Sequence, residues 1–286
     1  MKIKFTLILV FISFCSLGCQ ESQPSSINLN NLSNYFVNSP DIKLDLPPIL
    51  KEISGLTILN DSTVVCVQDE KGIVFIYDIQ SNRILRELEF GGDGDYEDIA
   101  KVNDTLYILR SDGTIFEFSN YSSSTSDVRI YETNIPSKDS EGLCYDSQHH
   151  RLLIGTKSKI EGNRKGIFSF DLVTKTLIDV PTLIFDTDLL KPNVESKGII
   201  FGGNRKFKFK LSAISINPLD SNLYVLSANE YLIFVFDFKG NLLEVAELDI
   251  NLHSKAEGIA FFNNGDMLIS NEGVNSKPSI LRFKPK

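Results

Sequence analysis

Cysteine and histidine are scarce in this sequence, and their placement excludes the common metal centres that they build. The chain contains four cysteines and three histidines in 286 residues. No spacing typical of a zinc site occurs, and His149, His150 and His253 form no ligand pattern. Cys66 and Cys144 each lie in a short apolar run, which predicts buried thiols, with a disulfide as the alternative.

The motifs of several enzyme classes are also missing. The sequence contains no glycine-rich phosphate loop, no nucleophile-elbow serine and no zinc-protease helix. No stretch shows the sustained hydrophobic period of a long amphipathic helix. Acidic residues outnumber basic ones, and the formal net charge of -8 argues against nucleic acid or an anionic membrane surface as the main partner.

Long apolar runs are absent except in residues 1–19, which resemble a bacterial lipoprotein signal. A basic start precedes an apolar run over residues 5–14, shorter than the roughly 20 residues that span a bilayer. Gly18 before Cys19 matches a lipobox, although Ser16 stands where leucine is usual. We predict lipidation of Cys19, which would anchor the chain to a bacterial membrane in the cell envelope through the lipid alone. Secretion without lipid and an uncleaved anchor are the alternatives.

The composition changes twice after the signal. Residues 20–40 are rich in Ser, Asn and Gln, which predicts a flexible tether. From residue 41 onward, short β-branched and aromatic runs alternate with Gly, Asn, Asp and Ser turns. This pattern predicts one all-β domain over residues 41–286, built as a barrel, a sandwich or a propeller.

Internal repetition distinguishes between these all-β folds. Five short phrases recur, and each precedes a second strand, a polar turn and a third strand that often ends in aspartate. The phrases are centred on Ser54, Glu97, Glu141, Ser212 and Glu257. The steps between them are 43, 44, 71 and 45 residues, and three of the four match the roughly 40–50 residues of a propeller blade. The sequence therefore predicts a β-propeller of four-stranded blades, with five blades favoured and six as the alternative.

The ends of the domain and the long step refine this prediction. The last unit lacks a fourth strand, so residues 41–46 are expected to supply it, to close the ring and to remove an open sheet edge. The long step holds about 26 extra residues, roughly 186–210. We interpret them as an excursion over one face of the ring, with a degenerate sixth blade as the alternative. Their basic stretch, residues 204–210, is either a solvated hairpin or a partner site.

Five phrases together resemble the SdiA-regulated (YjiK-like) family of bacterial envelope propellers. They are Glu52-Ile53-Ser54-Gly55-Leu56, Asp95-Tyr96-Glu97-Asp98-Ile99, Ser140-Glu141-Gly142-Leu143, Ser227-Ala228-Asn229-Glu230 and Ala256-Glu257-Gly258-Ile259-Ala260. The resemblance covers residues 45–284 and implies the propeller fold for the whole mature domain. Similar propellers include the thermostable phytases and the gluconolactonase-type enzymes, which depend on calcium or another metal.

The repeats also predict a site, because the innermost strand of each propeller blade lines a central channel. If the phrases are these strands, Glu97, Glu141 and Glu257 meet as an acidic ring, completed by Ser54 and Ser212. A second polar set follows the second strands and lies near one mouth of the channel. Carboxylates without counter-charges repel one another, and Ca²⁺ prefers oxygen ligands. We therefore predict a calcium site formed from Glu97, Glu141, Glu257, Asp69, Asn229 and Glu272.

Two alternatives compete with a calcium site. Arg110 and Lys157 fall at similar offsets as channel-lining residues, and they offer internal salt bridges in place of a metal. The glutamates would otherwise bond backbone N–H groups of neighbouring blades and fix the blade spacing.

Three functions are compatible with these features. The first is a non-enzymatic envelope module that binds a small molecule, a glycan or an envelope protein. The second is a calcium-dependent phosphoesterase or lactonase-like hydrolase, and the third is a scaffold. A phosphate substrate needs cations that face the acidic ring, and only Arg110 and Lys157 are placed for that. The binding module is therefore favoured.

Overall fold

Twenty strands, one α-helix and one 3-10 helix (Pro48–Leu50) occur in residues 31–121, 123 and 126–286, which the computed structural model describes. In chain order, the strands and the α-helix are β1 (Ile42–Asp45), β2 (Ile53–Asn60), β3 (Thr63–Gln68), β4 (Ile73–Asp78), β5 (Arg83–Glu89), β6 (Tyr96–Val102), β7 (Thr105–Arg110), β8 (Thr114–Ser119), β9 (Asp127–Glu132), β10 (Ser140–Asp146), β11 (Arg151–Thr156), β12 (Arg164–Asp171), β13 (Thr176–Asp186), α1 (Thr187–Ser196), β14 (Ala213–Ile216), β15 (Leu223–Ser227), β16 (Leu232–Phe236), β17 (Leu242–Glu247), β18 (Ala256–Phe261), β19 (Met267–Asn271) and β20 (Ser279–Phe283).

The strands form five antiparallel sheets of four strands each. Their orders are β2-β3-β4-β5, β6-β7-β8-β9, β10-β11-β12-β13, β14-β15-β16-β17 and β18-β19-β20-β1. The first strand of each sheet contacts the first strands of two other sheets, so that β2, β6, β10, β14 and β18 form a closed cycle. The protein is therefore a five-bladed β-propeller, as predicted, and these innermost strands surround the central axis.

The hydrophobic core lies between the blades. The inner strands β3, β15 and β16 are buried along their whole length, because neighbouring blades cover both of their faces. The outermost strands β5 and β9 have mostly exposed side chains. Short continuous apolar runs therefore identify the middle of each blade, and polar alternation identifies its rim.

The N-terminal strand closes the ring. β1 pairs antiparallel with β20, from Ile42 opposite Arg282 to Asp45 opposite Ser279. It is the fourth strand of the fifth blade, as predicted. The pairing covers backbone groups of β20 that would otherwise form an exposed edge.

Residues 31–40 pack against the fourth and fifth blades instead of ending a flexible tether. Leu32, Tyr35 and Val37 are buried in the apolar cluster shared by these blades. The Tyr35 hydroxyl donates a hydrogen bond of 2.6 Å to the carbonyl oxygen of Gly265. The prediction of a tether is therefore wrong for these ten residues, because three apolar side chains in a polar stretch are enough to anchor it.

The long step contains α1 and an irregular segment, not a sixth blade. Asp186 caps the helix by accepting a hydrogen bond from the N–H of Asp188 at 3.0 Å. Leu190 and Val194 lie one turn apart and are buried against the third and fourth blades. Hydrophobic periodicity did not reveal this helix because it is short, contains Pro192 and buries only these two side chains.

The basic stretch 204–210 is a solvated hairpin only at its start, where Arg205 forms an exposed antiparallel bridge with Gly202. Phe209 is fully buried, and Phe207 packs against the same apolar cluster. The stretch is therefore held against the ring by alternate side chains, while its lysines remain on the other side.

The N-terminal predictions fall largely outside the described part of the chain. The predicted signal peptide, Cys19 and the first part of the tether precede residue 31. Within the described residues, no helix is long and apolar enough to cross a membrane.

Candidate functional site

Four of the five innermost strands contain a β-bulge near their start, and the bulges orient the residues of the repeat phrases. In β6, β10 and β18, the extra unpaired residue is Glu97, Glu141 and Glu257, respectively. In β2 the irregularity covers Ser54. A bulge breaks the alternation of side chains along a strand and turns one of them aside. Here it directs all three glutamates into one cavity at a mouth of the central channel.

This mouth cavity has a volume of about 470 Å³ and is strongly acidic. Its lining includes eight carboxylates and three lysines. The carboxylates belong to Glu52, Asp69, Asp95, Glu97, Asp139, Glu141, Glu257 and Glu272, and the lysines are Lys138, Lys157 and Lys255. Side chains from four blades thus meet around the axis, although they are far apart in the sequence.

Five of the six residues predicted to bind a metal line the mouth cavity: Glu97, Glu141, Glu257, Asp69 and Glu272. Asn229 instead lines a separate cavity beside the fourth blade. Of the predicted channel-lining residues, Ser54 and Lys157 line the mouth cavity, whereas Arg110 and Ser212 do not.

A shift of one residue explains why Asn229 and Arg110 lie elsewhere. The residues that directly follow the second strands and line the cavity are Asp69, Ser111, Lys157 and Glu272. The backbone N–H of each donates a hydrogen bond to the carbonyl oxygen of the residue that precedes the innermost strand of the same blade. Arg110 stands one residue before Ser111, the cavity-lining position of the second blade. In the fourth blade the equivalent position is Ala228, directly after β15, and Asn229 stands one residue beyond it. Because successive side chains alternate in direction, a one-residue offset points them away from the axis. Arg110 forms an ion pair of 2.8 Å with Asp112.

One half of the mouth cavity is a cluster of three carboxylates. Oxygen atoms of Glu97, Asp139 and Glu141 lie within 4.8 Å of one another. Lys157 forms an ion pair with Glu141 Oε1, and its Nζ lies 3.9 Å from Asp139 Oδ2. Glu141 is only 3% exposed, and its Oε2 has no hydrogen-bond partner among the described residues. This half therefore combines excess negative charge with an unused buried oxygen.

The other half of the mouth cavity is organised by a lysine. Lys255 Nζ lies 2.9 Å from Glu257 Oε1 and also pairs with Glu272. Asp69 lies on the same side, and its Oδ1 is buried without a hydrogen-bond partner in the part of the chain that is described. Internal salt bridges, the alternative to a metal, thus occupy this half.

The carboxylates of the cavity are held in unfavourable surroundings. Burial, followed by the negative charge of Asp95, raises the pKa of Glu97 to about 8. Burial, followed by the charges of Glu52 and Glu272, raises the pKa of Asp69 to about 6. Burial also raises the pKa of Glu257, although Lys255 opposes the effect. The positive charges of the cavity therefore do not neutralise its carboxylates fully.

Asp139 and Lys255 were not predicted from the sequence. Both stand two residues before the glutamate of their own repeat phrase. The equivalent positions in the first two phrases are Glu52 and Asp95, which line the cavity as well. A charged residue at this offset in successive repeats was the signal that would have identified them.

The two serines of the predicted ring have a structural role. Ser54 Oγ donates to the carbonyl oxygen of Tyr96 at 2.7 Å, and Ser212 Oγ donates to that of Ala256 at 2.7 Å. Each acceptor is the first residue of the innermost strand in the next blade. For these serines, hydrogen bonds between blades fix the blade spacing.

Comparison with known proteins agrees with this architecture. The sequence matches the SdiA-regulated family over residues 31–275. The chain belongs to the SdiA-regulated family. No curated protein matches this SdiA-regulated chain.

Solved structures share its fold. Glutaminyl cyclase from Myxococcus xanthus is similar with a TM-score of 0.61 and 12% identity, covering 87% of this chain and 96% of the cyclase. The PQQ-bound aldose sugar dehydrogenase from Streptomyces coelicolor has a TM-score of 0.50 and 10% identity, covering 87% and 98% of the two chains. At such low identity these similarities show the propeller fold and no shared activity.

An apolar layer follows the repeat-phrase residues along the innermost strands in this SdiA-regulated protein. Two residues after each repeat-phrase position stands a buried aliphatic side chain: Leu56, Ile99, Leu143, Ile214 and Ile259. These five residues line a second axial cavity of about 310 Å³ at the opposite mouth. The two cavities share no lining residue. The acidic cavity and the apolar cavity therefore lie at opposite ends of the innermost strands.

The chemistry of the mouth cavity suits a hard cation better than hydrolysis of a phosphate. Its ligand atoms are carboxylate oxygens, which Ca²⁺ and Mg²⁺ prefer. A phosphate substrate would also need cations that face the acidic ring. Arg110 is absent from the pocket, Lys157 and Lys255 are each paired with carboxylates, and the third lysine, Lys138, is exposed to solvent. The phosphoesterase form of the hydrolase hypothesis therefore gains no support from these lysines, and the lactonase-like form is not tested by them.

Proposed function

We propose that this protein is a lipid-anchored binding module of the bacterial cell envelope that holds Ca²⁺ in its acidic mouth cavity. The observation that supports the proposal is the cluster of Glu97, Asp139 and Glu141. These carboxylates come from two neighbouring blades, and Glu141 offers a buried oxygen with no hydrogen-bond partner among the described residues. A cation bridging them would relieve their mutual repulsion and tie the two blades together.

The donor set fits calcium in kind and supplies part of its coordination shell. Ca²⁺ accepts roughly six to eight oxygen ligands in flexible geometry, whereas zinc sites use cysteine or histidine. Three carboxylates leave coordination positions open towards the mouth of the cavity. Oxygen atoms of a ligand would complete them, and an oxygen-rich small molecule, a glycan or an envelope protein would each provide such atoms.

Lys157 is the competitor of the ion. Its ammonium group pairs with Glu141 and lies near Asp139, so it occupies part of the region that a cation would use. Binding of Ca²⁺ would require this flexible side chain to move away. The carboxylates are therefore expected to raise the affinity for calcium, and Lys157 is expected to lower it.

Isothermal titration calorimetry with calcium chloride tests this proposal. The titration is done at pH 8 on the purified protein after treatment with a chelator. Asp139→Asn should weaken calcium binding at least about tenfold, because a carboxylate ligand becomes neutral. Lys157→Met should strengthen binding severalfold, because the competing ammonium group is removed. Glu87→Gln is the matched control, since Glu87 is exposed on the outermost strand β5.

The two opposite effects separate a specific site from general attraction. If the protein binds no calcium, or if Asp139→Asn and Glu87→Gln bind it equally well, the proposed site is wrong. Weaker binding by Lys157→Met would show that the lysine supports the site instead of competing with the ion.

A further inference from the structure

A second polar cavity, of about 830 Å³, lies beside the fourth blade. We call it the basic groove and define it by Arg205, Lys206, Lys208 and Lys210 on one side and by Tyr231 and Leu248 on the other. Its volume falls within the range of roughly 300–1,000 Å³ that is common for small-molecule sites. The groove is separate from the mouth cavity, with which it shares no lining residue.

The lysine-bearing segment is fixed by the phenylalanines that alternate with the lysines. Phe207 contacts Phe201 with ring centroids 4.9 Å apart, and Phe209 contacts Phe234 at 5.1 Å. These aromatic side chains point into the core, so Lys206, Lys208 and Lys210 line the groove. The cationic row is thus part of an ordered wall of the propeller.

A buried carboxylate fixes the backbone of the same segment. Glu230 accepts hydrogen bonds from the backbone N–H groups of Lys208 at 3.2 Å and Lys210 at 3.1 Å, and also from the Ser227 hydroxyl. Between the two lysines, Phe209 has a φ of +47°, a left-handed conformation that is rare for a bulky residue. Such strain persists where the surroundings enforce it, often at functional sites.

Among the residues that the structure describes, the three ammonium groups have no ionic partner. None of the ion pairs in the described part of the chain involves Lys206, Lys208 or Lys210. Arg205, in contrast, pairs with Glu247 at 2.7 Å and lies over the ring of Phe201. Three carboxylates also line the groove, but Glu230 accepts backbone N–H groups and Glu247 pairs with Arg205. Asp249 is then left against three lysines without an ion pair among the described residues, so the groove carries an excess of positive charge in a protein with a net charge of -8.

We propose that the basic groove binds a small organic molecule that carries neighbouring phosphate groups. Lysines act as point charges and suit phosphates, whereas the planar guanidinium that would bind a carboxylate in bidentate fashion is already paired. Adjacent phosphates would contact successive lysines of the row. Tyr231, Leu248 and Ile250 supply a partly apolar wall for the organic part of the ligand. This site is independent of the proposed calcium site.

Titration calorimetry with tripolyphosphate tests the groove in the full-length protein. A chelator is present so that metal complexes of the probe do not contribute. Replacing both Lys206→Ala and Lys208→Ala should weaken tripolyphosphate binding at least about tenfold, since two charge-assisted contacts are lost. Lys239→Ala is the matched control, because Lys239 is an exposed lysine on the β16–β17 turn of the same blade. Lys208→Arg should retain most of the affinity.

The results separate a built site from general charge attraction. Absence of binding, or equal losses in the double variant and in Lys239→Ala, overturns the proposal. Both altered lysines are exposed, so thermal unfolding of the double variant should match that of the parent protein. Phosphate groups occur on soluble metabolites and on lipid headgroups, so a second titration includes phosphatidic acid vesicles. Displacement of tripolyphosphate by vesicles assigns the groove to a headgroup, and undisturbed binding assigns it to a soluble ligand.

Discussion

Replacement of Glu97 by glutamine should stabilise the propeller when no calcium is present. The pKa of Glu97 is raised from 4.5 to about 8, first by burial and then by Asp95. The folded protein therefore retains this proton to a higher pH than the unfolded chain does, and the stability contributed by the protonated group is lost as the pH rises from 4.5 towards 8. At pH 8 the ionised carboxylate destabilises the fold, and Glu97→Gln removes that destabilisation.

The size of the effect follows from the pKa values. One pKa unit corresponds to about 1.4 kcal/mol, so a pKa raised from 4.5 to about 8 destabilises the ionised protein by at most about 5 kcal/mol. At pH 8 about half of the folded molecules still hold the proton, which lowers this upper bound to about 4 kcal/mol. Glu97 is partly exposed, and solvent screening reduces the effect to about 1–2 kcal/mol. At pH 5 the folded protein holds the proton, so Glu97→Gln should change the free energy of unfolding by less than about 1 kcal/mol.

Urea unfolding followed by far-ultraviolet circular dichroism measures both parts of this prediction. With a chelator at pH 8, Glu97→Gln should unfold at higher urea than the parent protein, and Glu87→Gln should not. With calcium at about 100 times its Kd, the parent protein should gain about 2.7 kcal/mol by ligand linkage, whereas Glu97→Gln should gain much less. Lower stability of Glu97→Gln than of the parent protein in chelator at pH 8 would contradict the destabilising effect of the ionised carboxylate. Equal stabilisation of both proteins by calcium would contradict a role of Glu97 in binding the ion.

Three other predictions concern the fold and the anchor. Burial lowers the pKa of His253 to about 4, so the free energy of unfolding should fall by up to about 3 kcal/mol as the pH drops from 6.5 to 4. Urea unfolding across this pH range measures the effect, and the same pH dependence in His253→Gln as in the parent protein would contradict it. Gly55→Ala should destabilise the ring by about 1–3 kcal/mol in thermal unfolding, because its added methyl group would overlap Asp98 of the next blade. Gly202→Ala is the control, since its methyl group would meet no atom within 4 Å, and equal effects of the two variants would contradict the close approach of Gly55 to Asp98. Cys19→Ala should abolish partitioning of the protein into detergent, and retention there would refute the lipid anchor.

The circular array was predictable because the blade signal is local and repeated. Each unit carries its own phrase, strands and turns, so the spacing of Ser54, Glu97, Glu141 and Glu257 was enough to indicate equivalent positions around an axis. The fourth strand of the last blade followed from the same count. These inferences required knowledge of the repeat and not of any side-chain contact.

The details that sequence reasoning missed depend on tertiary structure. Asn229 was assigned one residue away from the position that faces the mouth, and the direction of a side chain at a strand end changes with each residue. Whether Lys157 neutralises Glu141 or leaves it to a cation depends on a rotamer that no pattern encodes. Residues 31–40 were misjudged because average composition conceals a few buried side chains such as Tyr35.

A crystal structure of the protein soaked in calcium chloride would show whether the mouth cavity binds the ion. We expect an ion bound by oxygen atoms of Glu97, Asp139 and Glu141 at about 2.3–2.6 Å, with the Lys157 ammonium group moved away from Glu141. A mouth cavity that holds no ion at saturating calcium, with the pair of Lys157 and Glu141 intact, would contradict it.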